Sequence, residues 1–455
     1  MVVEVEAVEQ GKLIADELGG HASTEGEPTR ADEARVVRPE RSQVAFVPRS
    51  LDQALAEDHA ARAVWAFVER LDLAGFYGSI RAVVDGPGRP ASDPRVLLAL
   101  WIYATSQGVG SARRLARLCE EHDAYRWLRG GVPINHHLLS DFRVARRQEL
   151  DELLTQVLGA MMASGLVRLE RVAQDGVRLR AQAGSGSFRR RPRLEECLQE
   201  AREQVERLSQ EAGEAAGSSA REEAARVRAA RERQEGVERA LAQLPAIEAI
   251  KERQRRKKVK GQREKVGEAR ASTTDPEARV MKMSDGGFRP ALNAQLATDM
   301  DSQVIVGVGV INQGTDAGQA APMEAQIAQR TGRHPESYVV DGSYAALQDV
   351  VTLARREVTL YAPSRPPTGA TRQRDASLPR PTDPPEVEAW RVRMCTEEAQ
   401  ALYRERGSSV ECVNAQVEQR YGLRQLPVRG LDKALSVLLL VAIAHNLLRW
   451  IALSS

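Results

Sequence analysis

The spacing of apolar residues changes once along this chain of 455 residues, and that change constrains the fold more than any other feature. Over residues 51–166, apolar side chains recur every three or four positions, as in PRVLLALWIYATSQ and LDELLTQVLGAMMASGL, which is the spacing of amphipathic helices. Asp93, Ser111 and Asn135 stand where side chains that cap helix N-termini are expected. The sequence therefore predicts an all-α domain over residues 44–168.

Beyond that domain the pattern becomes that of β-strands. The run RVAQDGVRLRAQ alternates and predicts a strand with Asp175 near its middle. Alternating runs at 288–299 and 303–314, joined by a short turn, predict a hairpin, and SYVVD predicts a short strand that ends in Asp341. Helical spacing returns in four later segments, namely 321–330, ALQDVVTLARREV, 409–420 and 431–453. This order of elements favours a mixed sheet flanked by helices.

The last of these helices is apolar enough to raise the question of a membrane. Its uncharged run, residues 434–448, is 15 residues long and contains Ser436, His445 and Asn446. A bilayer span needs about 20 residues. We therefore expect a buried core helix in which His445 and Asn446 are hydrogen-bonded. The N-terminus also lacks the basic and apolar regions of a signal peptide.

Residues 194–270 interrupt the β-rich part of the chain. Most of them are Glu, Arg, Ala or Gln, with apolar positions at helical spacing, and they predict two antiparallel helices that break at 213–219. Their apolar stripe fits either a solvent-exposed spacer or a contact between two protomers. The basic run Arg255–Lys265, with seven bases against one acid, indicates phosphate contact. Arg189–Arg191 and Arg193 are candidates for the same contact.

The net charge of +2 conceals two opposed segments. Residues 1–40 carry four bases and ten acids, whereas residues 251–270 carry ten bases and three acids. We predict that residues 1–43 form a disordered acidic tail, because they lack apolar periodicity. The four cysteines are far apart, with no histidine at zinc-ligand spacing, so neither a disulfide framework nor a zinc site is expected. A reducing cytoplasm fits this usage best.

Three acidic side chains point to a chemistry. An aspartate before glycine, as at Asp175 and Asp341, is more often a turn residue than a metal ligand. Asp341 follows three apolar residues and Asp175 lies within an alternating strand, so each charge would stand at the edge of a core, where it needs a partner or a metal. With Glu411 on a late helix, the order suits two-metal phosphoryl transfer, in which two Mg²⁺ ions about 3.5–4 Å apart share carboxylate oxygens.

Several further stretches occur in a fixed order, namely GPGRPASDPRVLLALWIYATSQ, SFRRRPR, STTDPEARVMKMSDGGFRPALNAQLATD, VVDGSYA, YRERGSSVECVNAQ and AHNLLRW. From about residue 43 to residue 453, the chain resembles bacterial insertion-sequence transposases of the DDE class. The resemblance implies a mixed fold, with a helical N-terminal DNA-binding domain and a ribonuclease-H-like α/β catalytic domain. The catalytic domain would comprise residues 169–193 and 271–455, interrupted by a helical-hairpin insertion with a basic segment at 194–270.

The resemblance also implies the roles of particular residues. Asp175, Asp341 and Glu411 would be the catalytic and metal-binding triad, holding two Mg²⁺ ions for which Mn²⁺ can substitute. Tyr403 and Arg406 fall in the tyrosine–arginine–glutamate signature of such enzymes, where the arginine contacts a DNA phosphate.

The chain departs from this signature at Glu418, where a lysine is expected. Arg420 or Arg424 would then supply the missing contact, or the contact is absent. Because residues seven apart on a helix share a face, Glu418 is also an alternative to Glu411 as the third carboxylate. Glu411 is favoured by its place in the signature.

The helices around 111–129 and 135–147 resemble a helix-turn-helix, and the arginines on them, Arg143 included, are candidates for DNA contact. The adjacent His136 and His137 fit a capped helix start better than a metal site. The main predicted DNA-binding residues are Tyr403, Arg406, Arg424, Arg255, Arg256, Lys257, Lys258, Lys260, Arg113 and Arg114.

The sequence thus predicts a DNA transposase that cleaves DNA at element ends and transfers the 3′-hydroxyl to target DNA. The alternatives are a stand-alone nuclease of the same fold and a catalytically inactive DNA-binding regulator. The expected partners are the terminal inverted repeats, target DNA and further copies of the chain in a homodimer or larger synaptic assembly, with no membrane. We expect it in the bacterial cytoplasm, at the nucleoid when bound to DNA.

Overall fold

A computed structural model describes residues 48–82, 90–214, 219–256, 266–364 and 378–454. The chain from Ser50 onward forms one compact unit. The predicted acidic tail at 1–43 lies outside the described residues, as do Lys257, Lys258 and Lys260 of the basic run.

The first part of this unit is helical, as the spacing of apolar residues predicts. Its helices are α1 (Ala60–Glu69), α2 (Ala74–Gly78), α3 (Pro94–Ser106), α4 (Ala112–Glu121), α5 (Asp123–Arg129), α6 (His136–Ala145) and α7 (Arg147–Ala163). The predicted caps are confirmed, because the side chains of Asp93, Ser111 and Asn135 accept hydrogen bonds from backbone N–H groups in the first turns of α3, α4 and α6. Extended backbone at His122 divides the helical segment around 111–129 into α4 and α5.

A mixed sheet follows. Its strands are β1 (Arg171–Arg180), β4 (Arg279–Lys282), β5 (Phe288–Asp299), β6 (Ile305–Ile311), β7 (Ser337–Val340) and β8 (Thr359–Tyr361). The order is β4-β5-β1-β7-β8, and β6 also pairs with β5. Strand β1 is central, antiparallel to β5 and parallel to β7. The predicted strand around Asp175, the hairpin and the strand before Asp341 are confirmed.

The remaining helices pack around this sheet. They are α10 (Ala320–Thr331), α11 (Leu347–Arg355), α12 (Pro385–Met394), α13 (Glu397–Arg404), α14 (Val410–Gln419) and α15 (Leu431–Ser454). The mixed fold class is therefore confirmed. Strand β4 and helices α12 and α13 were not predicted, because β4 is only four residues long and α12 begins inside a proline-rich stretch.

Two long helices, α8 (Arg191–Glu214) and α9 (Ser219–Arg256), lie between the two-residue strands β2 (Phe188–Arg189) and β3 (Ala271–Ser272). They run antiparallel, since Arg191 at the start of α8 pairs with Glu248 near the end of α9. Leu194, Val237 and Leu244 form a small core of their own between the helices. The apolar stripe that could have joined two protomers is therefore filled within the chain.

The C-terminal helix α15 connects the helical part to the sheet, because it packs on α3, α6, α7 and β6. It is long and apolar enough to cross a membrane, yet 72% of its most apolar window is buried inside the protein. The predicted hydrogen bonds are confirmed. His445 bonds to the Tyr421 hydroxyl and to the carbonyl oxygen of Gln303, and the amide of Asn446 pairs with both backbone polar groups of Ile305. The expected core helix is thus confirmed.

Candidate active site

Two of the three predicted carboxylates lie on neighbouring strands. In the register of β1 and β7, Gln174 faces Val340, and Asp175 and Asp341 each come one residue later. Adjacent strands lie about 4.8 Å apart, and matched positions on parallel strands point to the same face of a sheet. The two aspartates therefore start from neighbouring backbone positions on one face. The Ser343 N–H donates to Asp341 Oδ1 at 2.8 Å, which fixes one oxygen of that carboxylate in a tight turn.

Arg406 joins the first aspartate to the predicted glutamate. It lies in the 3₁₀ turn Glu405–Ser408 between α13 and α14, and its guanidinium is almost fully buried. One of its terminal nitrogens lies 3.0 Å from Asp175 Oδ1, and the other donates to Glu411 Oε1 at 2.6 Å. A single cation thus holds two carboxylates that are 236 residues apart in sequence.

Helix α14 carries both Glu411 and a residue that the sequence motifs did not indicate. Asn414, nearly one turn after Glu411, donates from its amide to Asp175 Oδ2 at 3.2 Å. Its own amide oxygen is buried and has no hydrogen-bond donor among the described residues. Val410 on the same helix packs on Ala173 of β1 and on its neighbours, which fixes the helix against this face of the sheet. The signal for Asn414 in the sequence is its helical spacing from Glu411.

Glu418, the alternative third carboxylate, lies one turn beyond Asn414 on the same helix. It makes no hydrogen bond or ion pair with Asp175 or Arg406. Glu411 has the direct bond to Arg406, so it remains our assignment for the third position.

The electrostatics of the cluster are consistent with this arrangement. Burial raises the pKa of Asp175, the nearby charges of Glu411 and Asp316 add to the rise, and the charge of Arg406 opposes it. Burial also raises the pKa of the Tyr403 hydroxyl, and the positive charge of Arg406 opposes this rise. The negative charges of Asp341, Glu411 and Asp175 add to it. Tyr403 is thus within electrostatic reach of all three predicted triad members, and the site carries more negative than positive charge.

The chemistry of these groups fits a divalent metal. Carboxylate and amide oxygens are the ligands that Mg²⁺ prefers, and a buried carboxylate with a raised pKa gains from a nearby cation. The amide oxygen of Asn414, which has no hydrogen-bond partner among the described residues, is a further oxygen that could coordinate a metal. Among the described residues, however, no group of three or more His, Cys, Asp or Glu side chains converges closely enough to hold a metal ion. Arg406 lies between two of the expected ligands.

The opposite face of β1 carries a buried polar network that was not predicted. Gln174 donates to Gln295 Oε1 at 2.9 Å, and the hydroxyls of Tyr338 and Tyr344 donate to Gln174 and Gln295. The Asp316 carboxylate accepts from Gln295 at 2.9 Å. All five side chains are buried. In an alternating strand these polar positions indicate a solvent-facing side, so the pattern contains no signal for the network.

Gly176 explains why glycine follows the predicted catalytic aspartate. It lies inside β1 rather than in a turn, and a Cβ atom there would come within 2.6–2.8 Å of polar atoms of Asp316, Gln295 and Asn293. Asp316 also lies 3.4 Å from the Ser343 hydroxyl, in the turn that holds Asp341. The network therefore contacts the backbone on which both aspartates stand.

The other predicted DNA-binding residues that the structure describes have no hydrogen bond or ion pair with Asp175, Asp341 or Glu411. Arg113 and Arg114 are exposed on α4, and Arg424 is exposed after α14. Arg255 and Arg256 both pair with Glu252 on the surface of α9. The prediction that Arg143 contacts DNA is wrong. Its side chain is buried against the Trp101 ring and donates to the carbonyl oxygen of Gly110 at 2.6 Å.

Comparison with protein families gives two matches at opposite ends of the chain. A family model described as a transposase DDE domain matches residues 373–451, which contain Tyr403, Arg406 and Glu411. A second, described as a transposase domain (DUF772), matches residues 49–145 in the helical part. No match was found among curated proteins or among solved structures. Both matches describe the same kind of protein.

Proposed function

We propose that this chain, which is an insertion-sequence transposase of the DDE class, cleaves DNA at the ends of its element and joins the freed 3′-hydroxyl to target DNA. One observation carries the proposal. Asp175 and Glu411 are bridged by Arg406 on one face of the sheet, and Asp341 immediately follows the neighbouring strand β7.

Transposases of this class generally use a divalent metal, and we assign Asp175, Asp341 and Glu411 as its ligands here. Two bound Mg²⁺ or Mn²⁺ ions would lower the pKa of a water nucleophile and stabilise the attacking and leaving oxygens at the phosphate. The rigid strands β1 and β7 hold the two aspartates, whereas α14 brings in Glu411. This division matches the need for fixed ligands at the centre of the site.

Arg406 has two functions in this proposal. Without DNA, its guanidinium neutralises the carboxylates of Asp175 and Glu411, which would otherwise repel each other in a partly buried site. With DNA present, the same planar donor group suits the oxygens of a phosphate, to which arginine binds in a bidentate manner. Tyr403, half-buried beside these carboxylates, would then help to orient the DNA strand.

The division into domains belongs to the same proposal. Residues 44–168 would bind DNA through the exposed arginines of α4, and residues 169–193 with 271–455 would form a ribonuclease-H-like catalytic domain. The helix pair and basic segment of residues 194–270 would be its insertion. Such an enzyme would act in the cytoplasm on terminal inverted repeats and target DNA, as a homodimer or larger synaptic assembly.

The decisive experiment incubates purified protein and Mg²⁺ with DNA that carries the terminal repeats of the element. We expect cleavage at the element ends and joined products. In the Asp341→Asn variant both should disappear, because the amide cannot replace the carboxylate charge at the metals. Asp432→Asn, at an exposed position on α15, is the matched control and should retain both activities. Cleavage that survives in Asp341→Asn would refute the metal assignment.

Two observations keep the inactive regulator as a second candidate. Glu418 replaces the lysine expected in the signature, and no described set of side chains converges on a metal position. Binding of the repeats without cleavage would favour the regulator. Clean cleavage without joining would favour a stand-alone nuclease of the same fold.

A further inference from the structure

A cleft lined by arginines lies at the base of the helix pair, in a part of the fold that the proposed catalytic cluster does not use. Its volume is about 430 Å³, and it opens to solvent. Four arginines line it, namely Arg189, Arg190, Arg193 and Arg270, against one acid, Glu196. The walls therefore carry three more positive charges than negative ones.

The short β2–β3 ladder forces these charges together. Its register pairs Phe188 with Ser272 and Arg189 with Ala271, and Arg190 and Arg270 lie immediately beyond the last pair. Phe188 is buried on Ala181 and Ala278 and fixes the ladder in this register. The ladder thus brings Arg189, Arg190 and Arg270 together at the base of the helix pair.

The arginines differ in how they are neutralised. Arg190 pairs with Glu268 at 2.8 Å, and Arg193 pairs with Glu196 and Glu200. The side chains of Arg189 and Arg270, by contrast, have no hydrogen bond or ion pair with any described residue. Two guanidinium groups at one cleft therefore keep their donors available for a ligand.

We propose that this cleft binds backbone phosphates of DNA through Arg189 and Arg270, away from the phosphate that is cleaved. The proposal rests on the proposed function, since it takes the DNA substrate from there. Arginine presents a planar set of donors that matches two phosphate oxygens. The open shape of the cleft suits an extended polyanion that passes along it, and among the described residues no acid pairs with Arg189 or Arg270.

The test measures DNA binding over a range of salt concentrations. It compares the wild-type full-length protein with the double variant Arg189→Ala/Arg270→Ala. Loss of two phosphate contacts should make the slope of log K against log[salt] shallower by about 2 and weaken binding about tenfold or more at low salt. The rate constant for cleavage at saturating DNA should change less than about twofold. The matched control is Arg207→Ala/Arg228→Ala, which removes two exposed charges from the same helix pair and should leave the slope unchanged.

A charge-preserving variant and a phosphate titration complete the test. Arg189→Lys/Arg270→Lys keeps both charges, so it should restore most of the salt slope, and thermal melting of every variant excludes a folding defect. If the double alanine variant binds DNA with the wild-type slope, the inference is wrong while the proposed function stands. If inorganic phosphate stabilises the wild type but not that variant, and the DNA slope is unchanged, the cleft serves a free phosphate instead. If the wild type neither binds nor cleaves the repeats, the proposed function itself fails.

Discussion

The two faces of strand β1 are built from polar groups of the same kinds, yet they are completed in opposite ways. On one face, Asp175 meets Arg406 and Asn414, and the cluster leaves an amide oxygen without a donor among the described residues. On the other face, Gln174 and Gln295 lie in a continuous chain of hydrogen bonds that reaches two tyrosines and Asp316. The first face, which we call the open face, leaves a buried polar atom without a partner among the described residues. On the second, the closed face, most of the polar groups are satisfied within the protein.

This difference indicates how one strand can carry an incompletely satisfied cluster on one face and a rigid network on the other. Buried polar networks that satisfy their own hydrogen bonds fix a unique geometry, because any displacement leaves buried groups unpaired. The network touches the backbone at Gly176, immediately after Asp175, and reaches the turn of Asp341 through Ser343. The network on the closed face therefore fixes the backbone at Asp175 and Asp341, whose carboxylates belong to the open face.

The largest expected effect comes from the open face. Asp175→Asn should lower the rate of DNA cleavage by at least about 1,000-fold, which corresponds to roughly 4 kcal/mol in the barrier. The amide keeps one acceptor oxygen for Arg406 or Asn414 but loses the second acceptor and the charge that a divalent cation needs. Single-turnover cleavage at saturating DNA measures the loss, with Asp432→Asn as the control. A variant that cleaves within tenfold of the wild type would remove Asp175 from the site.

The next effect comes from the closed face. Gly176→Ala should reduce the free energy of unfolding by about 1–3 kcal/mol, because the added methyl group would overlap the polar atoms of Asp316, Gln295 and Asn293. Cleavage should fall with it, since the network must move under Asp175. Denaturant unfolding and cleavage are the measurements, and Gly184→Ala is the control, as a Cβ atom there meets nothing within 4 Å. Equal stability of the two variants would contradict a rigid network.

These two residues also mark how far the sequence could be interpreted. Asp175 was predicted from its place in an alternating strand together with the resemblance to DDE transposases, and the central strand that carries it is confirmed. The closed face could not be predicted, because the partners of Gln174 come from β5, β7 and the loop before α10. Local spacing contains no information on which distant polar residues meet. For the same reason, the bridge from Arg406 to Asp175 appears only in the structure.

A pH-dependent effect tests the ion pairs of the open face. In the metal-free protein, Arg406→Gln should cost about 1–3 kcal/mol more stability at pH 8 than at about pH 4, near the ordinary pKa of an aspartate. Burial already raises the pKa of Asp175 above its ordinary value of 3.8, and loss of the Arg406 charge raises it further. The charged carboxyl therefore destabilises the folded variant increasingly as the pH rises through that pKa, whereas the protonated carboxyl at low pH needs no cation.

Urea unfolding at both pH values measures this difference. Arg404→Gln, an exposed arginine on the neighbouring helix α13, serves as the control and should show the same small change at both pH values. A loss for Arg406→Gln that is independent of pH would show that Arg406 acts by packing rather than by its charge.

The smallest expected effect distinguishes two tyrosines within the closed face. Tyr344→Phe removes one donor from Gln295 Oε1, which still accepts from Gln174, so the free energy of unfolding should fall by only about 1 kcal/mol. Tyr338→Phe should cost about 2 kcal/mol, because Gln174 Oε1 then has no donor among the described residues. Both rings are fully buried and keep their apolar packing in the variants. Denaturant unfolding gives the two values, and a loss for Tyr344→Phe as large as that for Tyr338→Phe would contradict the proposed difference between the two glutamine oxygens.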